Sequence, residues 1–316
     1  MTVTSTDVSD LVDRARAGQA RAVARLISMV EQQSADLAEV AAQLAPHTGE
    51  AHVIGLTGSP GVGKSTSTGA LVSSWRRQGK RVGVLAIDPS SPFSGGALLG
   101  DRIRMQEHAT DAGVFIRSMA TRGYLGGLSA AAPQAIRVLD AAGCDIVVVE
   151  TVGVGQSEID IASLADTSIV ILAPGMGDGI QAAKAGILEI GDVFVINKAD
   201  REGARATRRE LRTMLSMTQR TDPDWSPPIL MTTAAQSEGI DAVVEAADGH
   251  FNAIRQSGQL DSRRLSRARS EVEALAQQKL RQRLQAGDDA DRLAAEVKSG
   301  RLDSYAAAES LIAKLW

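Results

Sequence analysis

The chain has a single cysteine, Cys144, among 316 residues. That excludes an intrachain disulfide framework and any zinc or iron–sulfur site built from several thiolates. Its four histidines, His47, His52, His108 and His250, are scattered, so a dedicated His-rich metal site is not expected. Aromatic residues make up only 3%, leaving Ala, Val, Leu and Ile to build the interior. No apolar run approaches the roughly 18 residues of a membrane span. The longest, around Ile146–Val149 and Ile169–Ala173, have the length of buried strands. Excess positive charge is missing too: a net charge of -4 and a pI of about 5.7 give no reason to expect nucleic acid or an anionic membrane as partner. The N-terminal segment carries Asp7, Asp10 and Asp13 and no apolar core, unlike a targeting peptide, so the expected location is the cytoplasm. What is present is 44% hydrophobic and 23% charged residues, enough apolar material for a sizeable core and too much for a disordered chain.

Residues 1–50 read as a helical extension. Val8, Leu11, Val12, Val23, Leu26, Ile27, Val30, Leu37, Val40, Ala41 and Leu44 recur at spacings of three and four, until Pro46 and Gly49 punctuate the pattern. From 51 to 250 short β-rich runs alternate with helical segments. The runs are His52–Thr57, Val82–Ile87, Val114–Arg117, Asp145–Glu150, Thr167–Ala173, Val193–Asn197 and Pro228–Thr232. Near-continuous apolar runs suit parallel strands covered on both faces, and the alternation calls for βαβ crossovers. The expectation is an α/β, doubly wound, mostly parallel sheet with its chemistry in the loops beyond the carboxyl ends of the strands. Residues 251–316 are helical again, with Leu265, Val272, Leu275, Ala276, Leu280 and Leu284 in one stripe and Leu302, Tyr305, Ala308, Leu311, Ile312 and Leu315 in another. The Arg263–Arg269 cluster is flanked by Asp261, Glu271 and Glu273 and reads as a solvated helix face. The stripes must pack against the core or a second copy.

Gly58-Ser59-Pro60-Gly61-Val62-Gly63-Lys64-Ser65-Thr66 fits G-x-x-x-x-G-K-[ST] between a predicted strand and a predicted helix, the context that defines a phosphate-binding P-loop. Its glycines let backbone N–H groups turn inward around phosphate, and the helix N-terminus adds a favourable dipole. Lys64 is placed to reach the β- and γ-phosphates and Ser65 to ligate Mg²⁺. Asn197-Lys198-Ala199-Asp200 follows a strand about 130 residues later. This N-K-x-D pattern resembles the guanine-specificity motif of G proteins: a carboxylate at Asp200 can accept from the ring N–H and the exocyclic amine of guanine, a donor pair that adenine lacks. Thr233-Ala234-Ala235, after the last strand, stands where G proteins place backbone contacts to the base.

Three further elements complete the candidate site. The strand Asp145–Glu150 ends in a carboxylate, and Gly153 follows three residues later. This resembles Walker B and switch II, with Glu150 where the usual D-x-x-G has aspartate; Glu150 is a candidate for acting on Mg²⁺ directly or through water, and Gly153 for sensing γ-phosphate. The second strand run is followed by Asp88, a candidate for holding metal-bound water or orienting the attacking water. A Gly-rich segment resembling switch I leads on to Asp101, either a further site carboxylate or a helix N-cap. Cys144, with no cationic or basic neighbour in sequence, reads as a buried small hydrophobe.

In order along the chain, GSPGVGKST, DPSSPFSGGALLGDRIRM, RGYLGG (Arg122–Gly127), ETVGVGQSE, PGMGDGIQAAKAGILEIGD (Pro174–Asp192) and NKAD together resemble the MeaB/ArgK family, the G proteins that accompany adenosylcobalamin-dependent methylmalonyl-CoA mutase. The resemblance spans roughly residues 52–240. It implies a SIMIBI-class P-loop fold, a homodimer formed through the C-terminal helices, and hydrolysis of GTP to GDP coupled to loading and protection of the mutase's B12 cofactor. It also implies a further switch from Gly175 to about Gly186 that responds to the partner, with Asp178, Gln181 and Lys184 as its polar residues. The same residues also fit a capped helix start with exposed side chains.

The expected chemistry is in-line attack of water on the γ-phosphoryl group, with P-loop amides, Lys64 and Mg²⁺ neutralising developing charge. Val154 follows Gly153, and the nearest glutamine, Gln156, is displaced by two positions, so slow intrinsic hydrolysis raised by the partner is expected. Three other readings compete. A nickel-inserting GTPase of the same fold class should carry His- or Cys-rich clusters. An ATP-dependent kinase or ATPase accessory to amino-acid transport should prefer adenine, against the NKAD motif. A helical scaffold binding nucleotide only for stability would not need Lys64, Ser65, Asp88 and Glu150 together.

Overall fold

The computed structural model describes residues 8–88, 106–108, 110–120, 131–151, 157–175, 186–217, 225–285 and 288–313. Seven strands form one sheet: β1 His52–Thr57, β2 Val82–Asp88, β3 Val114–Ala120, β4 Ile146–Thr151, β5 Thr167–Leu172, β6 Val193–Ile196 and β7 Ile229–Met231. Their order is β3-β2-β4-β1-β5-β6-β7, and every pairing is parallel. All seven runs read from the sequence are strands. From β1 the chain winds outward to β2 and β3, returns to β4 beside β1, and then winds the other way through β5, β6 and β7. The carboxyl ends of β1 and β4 thus lie where the winding reverses, the usual crevice for a ligand in an open α/β sheet.

Alternation along the strands divides the core between the two faces. On one face Val53, Leu85, Ile87, Val147 and Val149 share a cluster with the helices α1 Val8–Arg16, α2 Ala20–Glu31, α3 Leu37–Leu44 and α5 Ala132–Ala141. On the other, Ile54, Leu56, Val84, Ile146 and Val148 pack with Leu71 and Trp75 of α4 (Lys64–Arg77) and with Val243, Val244 and Ala247 of α9 (Ile240–Gln256). Trp75 is fully enclosed. Three further helices belong to the sheet unit: α6 Ser157–Leu164, α7 Ile187–Ile190 and α8 Ala204–Met217.

The chain divides into a compact unit Met1–Asp261 and a second, Ser262–Trp316. This differs from the expected partition in two places, each for a packing reason. The stripe of α1–α3 is buried in the same cluster as the sheet, so these helices are part of the sheet unit rather than an appendage. Likewise α9 carries its buried pattern past residue 250 to Ile254. In the second unit, α11 (Asp289–Lys298) and α12 (Ser304–Ala313) pack together through Leu293 and Ala307. The 27-residue helix α10, Gln259–Gln285, crosses the division. Its predicted stripe stands open: Leu265 is 72% exposed and Val272 66%. No helix among the described residues is long and apolar enough to cross a membrane.

At the amino ends of the strands a buried polar chain joins four elements. His52 Nε2 lies 2.7 Å from Thr167 Oγ1, which lies 2.8 Å from His250 Nδ1, and His250 Nε2 is 3.2 Å from Asp192 Oδ1. The ring of Phe251 stacks on His52, and Asp192 accepts the Ser168 N–H at 2.8 Å. One hydroxyl can give its hydrogen to one imidazole and accept from the other, so Thr167 ties β1, β5 and α9 together inside the core. Two of the four histidines are accounted for in this way. Thr167→Val, which keeps shape but removes the hydroxyl, is expected to cost about 2 kcal/mol of stability, read as a lower urea midpoint with an unchanged slope.

Candidate functional site

Parallel strands deliver their following loops to one edge of the sheet, and the candidate residues that are described gather there. β1 ends at Thr57, and the loop Gly58–Gly63 leads directly into α4. Gly58 (φ 141°) and Gly63 (φ 96°) adopt backbone conformations that disfavour side chains. A Cβ on Gly58 would collide with the carbonyl oxygen of Ile171 in β5, and one on Gly63 with the Asn197 carboxamide. The glycines are therefore required twice, by backbone geometry and by the close approach of neighbouring strands.

Lys64 opens α4 with its side chain folded back over the loop. Its Nζ donates to the Gly58 carbonyl at 2.6 Å and the Ser59 carbonyl at 3.2 Å. Lys64 is buried as a residue, so the first turn of α4 combines a positive charge with the positive end of the helix dipole. Ser65, next on α4, donates to Glu150 Oε1 at 2.7 Å. Glu150, the penultimate residue of β4, is 4% exposed, and its Oε2 accepts the Thr68 hydroxyl at 2.8 Å. A carboxylate beside a P-loop hydroxyl makes a hard oxygen set of the kind Mg²⁺ prefers; the residues fit that ion.

The base-side candidates are joined to the phosphate side by one buried side chain. Asn197 Nδ2 donates to the Val62 carbonyl at 2.8 Å. Its Oδ1 accepts the Ala234 N–H at 3.0 Å and the Thr232 hydroxyl at 3.3 Å. Lys198, in the left-handed region at φ 58°, donates through Nζ to the Gly61 carbonyl at 2.6 Å. The aliphatic stem of Lys198 can thus flank a base bound beyond the loop. Asp200 is exposed, available to a ligand. Thr233 is held by a bridge to Glu238, Ala234 is buried and Ala235 exposed.

The structure thus assembles Gly58 to Thr66, Glu150, Asn197 to Asp200 and Thr233 to Ala235 at one sheet edge. Asp88 is the last residue of β2, beside the same edge. Its side chain lies outside the described residues, as do Asp101, Gly153, Asp178, Gln181 and Lys184. Cys144 is buried next to β4, and burial pushes its thiol up to about 12, which makes it a packing residue at neutral pH. His108 sits under α4, with Nε2 3.1 Å from the Gly69 carbonyl and 3.3 Å from Ser73 Oγ. Two residues of the site escaped the sequence reading. Thr68 stands one helical turn beyond Lys64, so its spacing on α4 was an available signal. Thr232 carries no signal of its own, because its partner Asn197 is on another strand.

A parallel sheet with this Gly-rich loop, helix, carboxylate and N-K-x-D arrangement defines a P-loop GTPase. The sequence profile of the family described as methylmalonyl-CoA mutase-associated GTPase MeaB matches residues 23–289. The chain belongs to the MeaB family. A Pyrococcus horikoshii protein named as a GTPase is 45% identical over 311 residues, covering 98% of each chain. The GTPase ArgK of Escherichia coli is 34% identical over 292 residues, covering 90% of this chain and 88% of its own. Among solved structures, one titled as a LAO/AO transport system kinase superposes with a TM-score of 0.73 at 26% identity, covering 100% of this chain and 99% of that one. The chain is accordingly a guanine-nucleotide-binding GTP hydrolase.

Gly58→Ala is expected to lower stability by about 2–3 kcal/mol and to weaken nucleotide binding, because the added methyl group must displace the end of β5. Thermal unfolding and GDP titration of the same variant measure both effects.

Proposed function

We propose that this GTPase is Mg²⁺-dependent and acts as a G-protein chaperone that gates adenosylcobalamin loading into, and protects, methylmalonyl-CoA mutase or a related acyl-CoA mutase. The observation that carries the nucleotide part is the Asn197 carboxamide, which couples the base-recognition loop to the P-loop through the Val62 carbonyl. Membership of a family described by its association with that mutase supports the partner.

In this reading Lys64 and the inward N–H groups of the P-loop hold the β- and γ-phosphates and stabilise charge as water attacks. Asp200 takes the donor edge of guanine, and Thr233, Ala234 and Ala235 close over the base. Ser65 would hold Mg²⁺, with Glu150 orienting the Ser65 hydroxyl and acting on the ion directly or through water; the ion, when bound, would supply neutralisation of the phosphate charge. Asp88, at the end of β2, is assigned to holding metal-bound water or orienting the attacking water, with Asp101 as a second carboxylate or a helix cap. Gly153 is assigned to γ-phosphate sensing, and Asp178, Gln181 and Lys184 to the switch that answers the mutase. Slow turnover in isolation makes GTP a clock whose hydrolysis is the gate. The exposed apolar stripe of α10 supports a homodimer formed through the C-terminal helices.

The test is GTP and ATP turnover at fixed Mg²⁺, with and without methylmalonyl-CoA mutase from the same source. Slow, GTP-specific hydrolysis accelerated about tenfold or more by the mutase is expected, a stimulation short of the gains trans-acting activators can give. GTP turnover that the mutase leaves unchanged would refute that partner. Preference for ATP would refute the guanine assignment and favour the transport-linked kinase reading.

A further inference from the structure

Glu150 occupies the place where the family of loops it resembles has aspartate, and its side chain is one methylene longer, with one more torsion to fix. The Ser65 hydroxyl engages Oε1. The second oxygen is held from α4, where Thr68 Oγ1 donates to Oε2 at 2.8 Å. Thr68 is fully enclosed, and its hydroxyl also lies 3.1 Å from the Lys64 carbonyl, so its one hydrogen is shared between the nearer carboxylate and that carbonyl, a geometry that sets its rotamer one turn along the helix. Lys64, Ser65 and Thr68 therefore present an ammonium and two hydroxyls from the first turns of one helix, and the two hydroxyls clamp both oxygens of one buried carboxylate.

We propose that Thr68 is a positioning residue of the metal side of the site: it fixes Oε2 of Glu150 so that Oε1 stays on the Ser65 hydroxyl and leaves the Ser65 lone pairs directed to the ion. The side-chain contacts of Thr68 are to the Glu150 carboxylate and the Lys64 carbonyl. Thr68 acts through Glu150, and it offsets the freedom that the longer carboxylate introduces. The inference rests on the Mg²⁺–guanine-nucleotide reading of this site.

The experiment measures the affinity of a fluorescent GDP analogue in EDTA and in Mg²⁺ for the full chain and for Thr68→Val, Thr68→Ala and Thr68→Ser. Thermal unfolding without nucleotide identifies the folded variants. The expected result is that Thr68→Val loses about tenfold of the affinity gained on adding Mg²⁺, the worth of one hydrogen bond to a charged group. Its EDTA affinity is expected to stay within about twofold, and Thr68→Ser to retain the gain. Thr68→Ala gives the same comparison if Thr68→Val does not fold. Equal losses in EDTA and Mg²⁺, or an undiminished Mg²⁺ gain, would overturn the proposal and leave the nucleotide assignment intact. A wild-type chain with no Mg²⁺-dependent gain for guanine nucleotide would overturn the assignment itself, and this inference with it.

Discussion

The carboxamide of Asn197 is the junction on which the site's geometry depends. It joins three loops from three strands: its own, the P-loop through the Val62 carbonyl, and the loop after β7 through the Ala234 N–H. Being 3% exposed, it forms these bonds away from water, where losing one leaves a buried polar group unpaired at a cost of about 1–3 kcal/mol. Parallel strands make the junction possible, since all three loops leave the sheet at the same edge. The consequence is that the part of the site that reads a base and the part that holds phosphate cannot drift independently.

A second clamp sets the phosphate side. Glu150 at the end of β4 is gripped by Ser65 and Thr68 of α4, so the helix following the P-loop is docked onto the neighbouring strand by polar contacts as well as by Leu71 and Trp75. The opposite end of the sheet is fixed by the His52–Thr167–His250 chain. Strand ends on both sides are thus pinned through side chains, while the middle of the sheet is held by its backbone ladders and by largely aliphatic packing. This division suits a scaffold that must keep its loops in register around an anionic ligand.

Much of this arrangement was legible in the sequence because it is contiguous there. The P-loop, the N-K-x-D tetrad and all seven strands announce themselves within windows of four to ten residues. What could not be read was pairing at a distance. Apolar periodicity in residues 8–44 identified helices but not the face of the sheet that buries them, so they looked like an appendage. The division at residue 250 falls inside α9, where His250 is a polar letter that the structure shows buried among aromatic and hydroxyl partners. Thr68 and Thr232 matter through Glu150 and Asn197, each of which is on a different element. The spacing of the α10 stripe marks it as apolar but does not say that it stands exposed in the single chain.

The central claim is that this edge of the sheet selects guanine, and the most direct measurement is a pair of calorimetric titrations of the nucleotide-free protein with GDP and with ADP, in one Mg²⁺-containing buffer. The account predicts that GDP binds at least about a thousandfold more tightly, because adenine would leave the Asp200 carboxylate without its donor pair. Comparable affinities for the two nucleotides, or tighter binding of ADP, would contradict it.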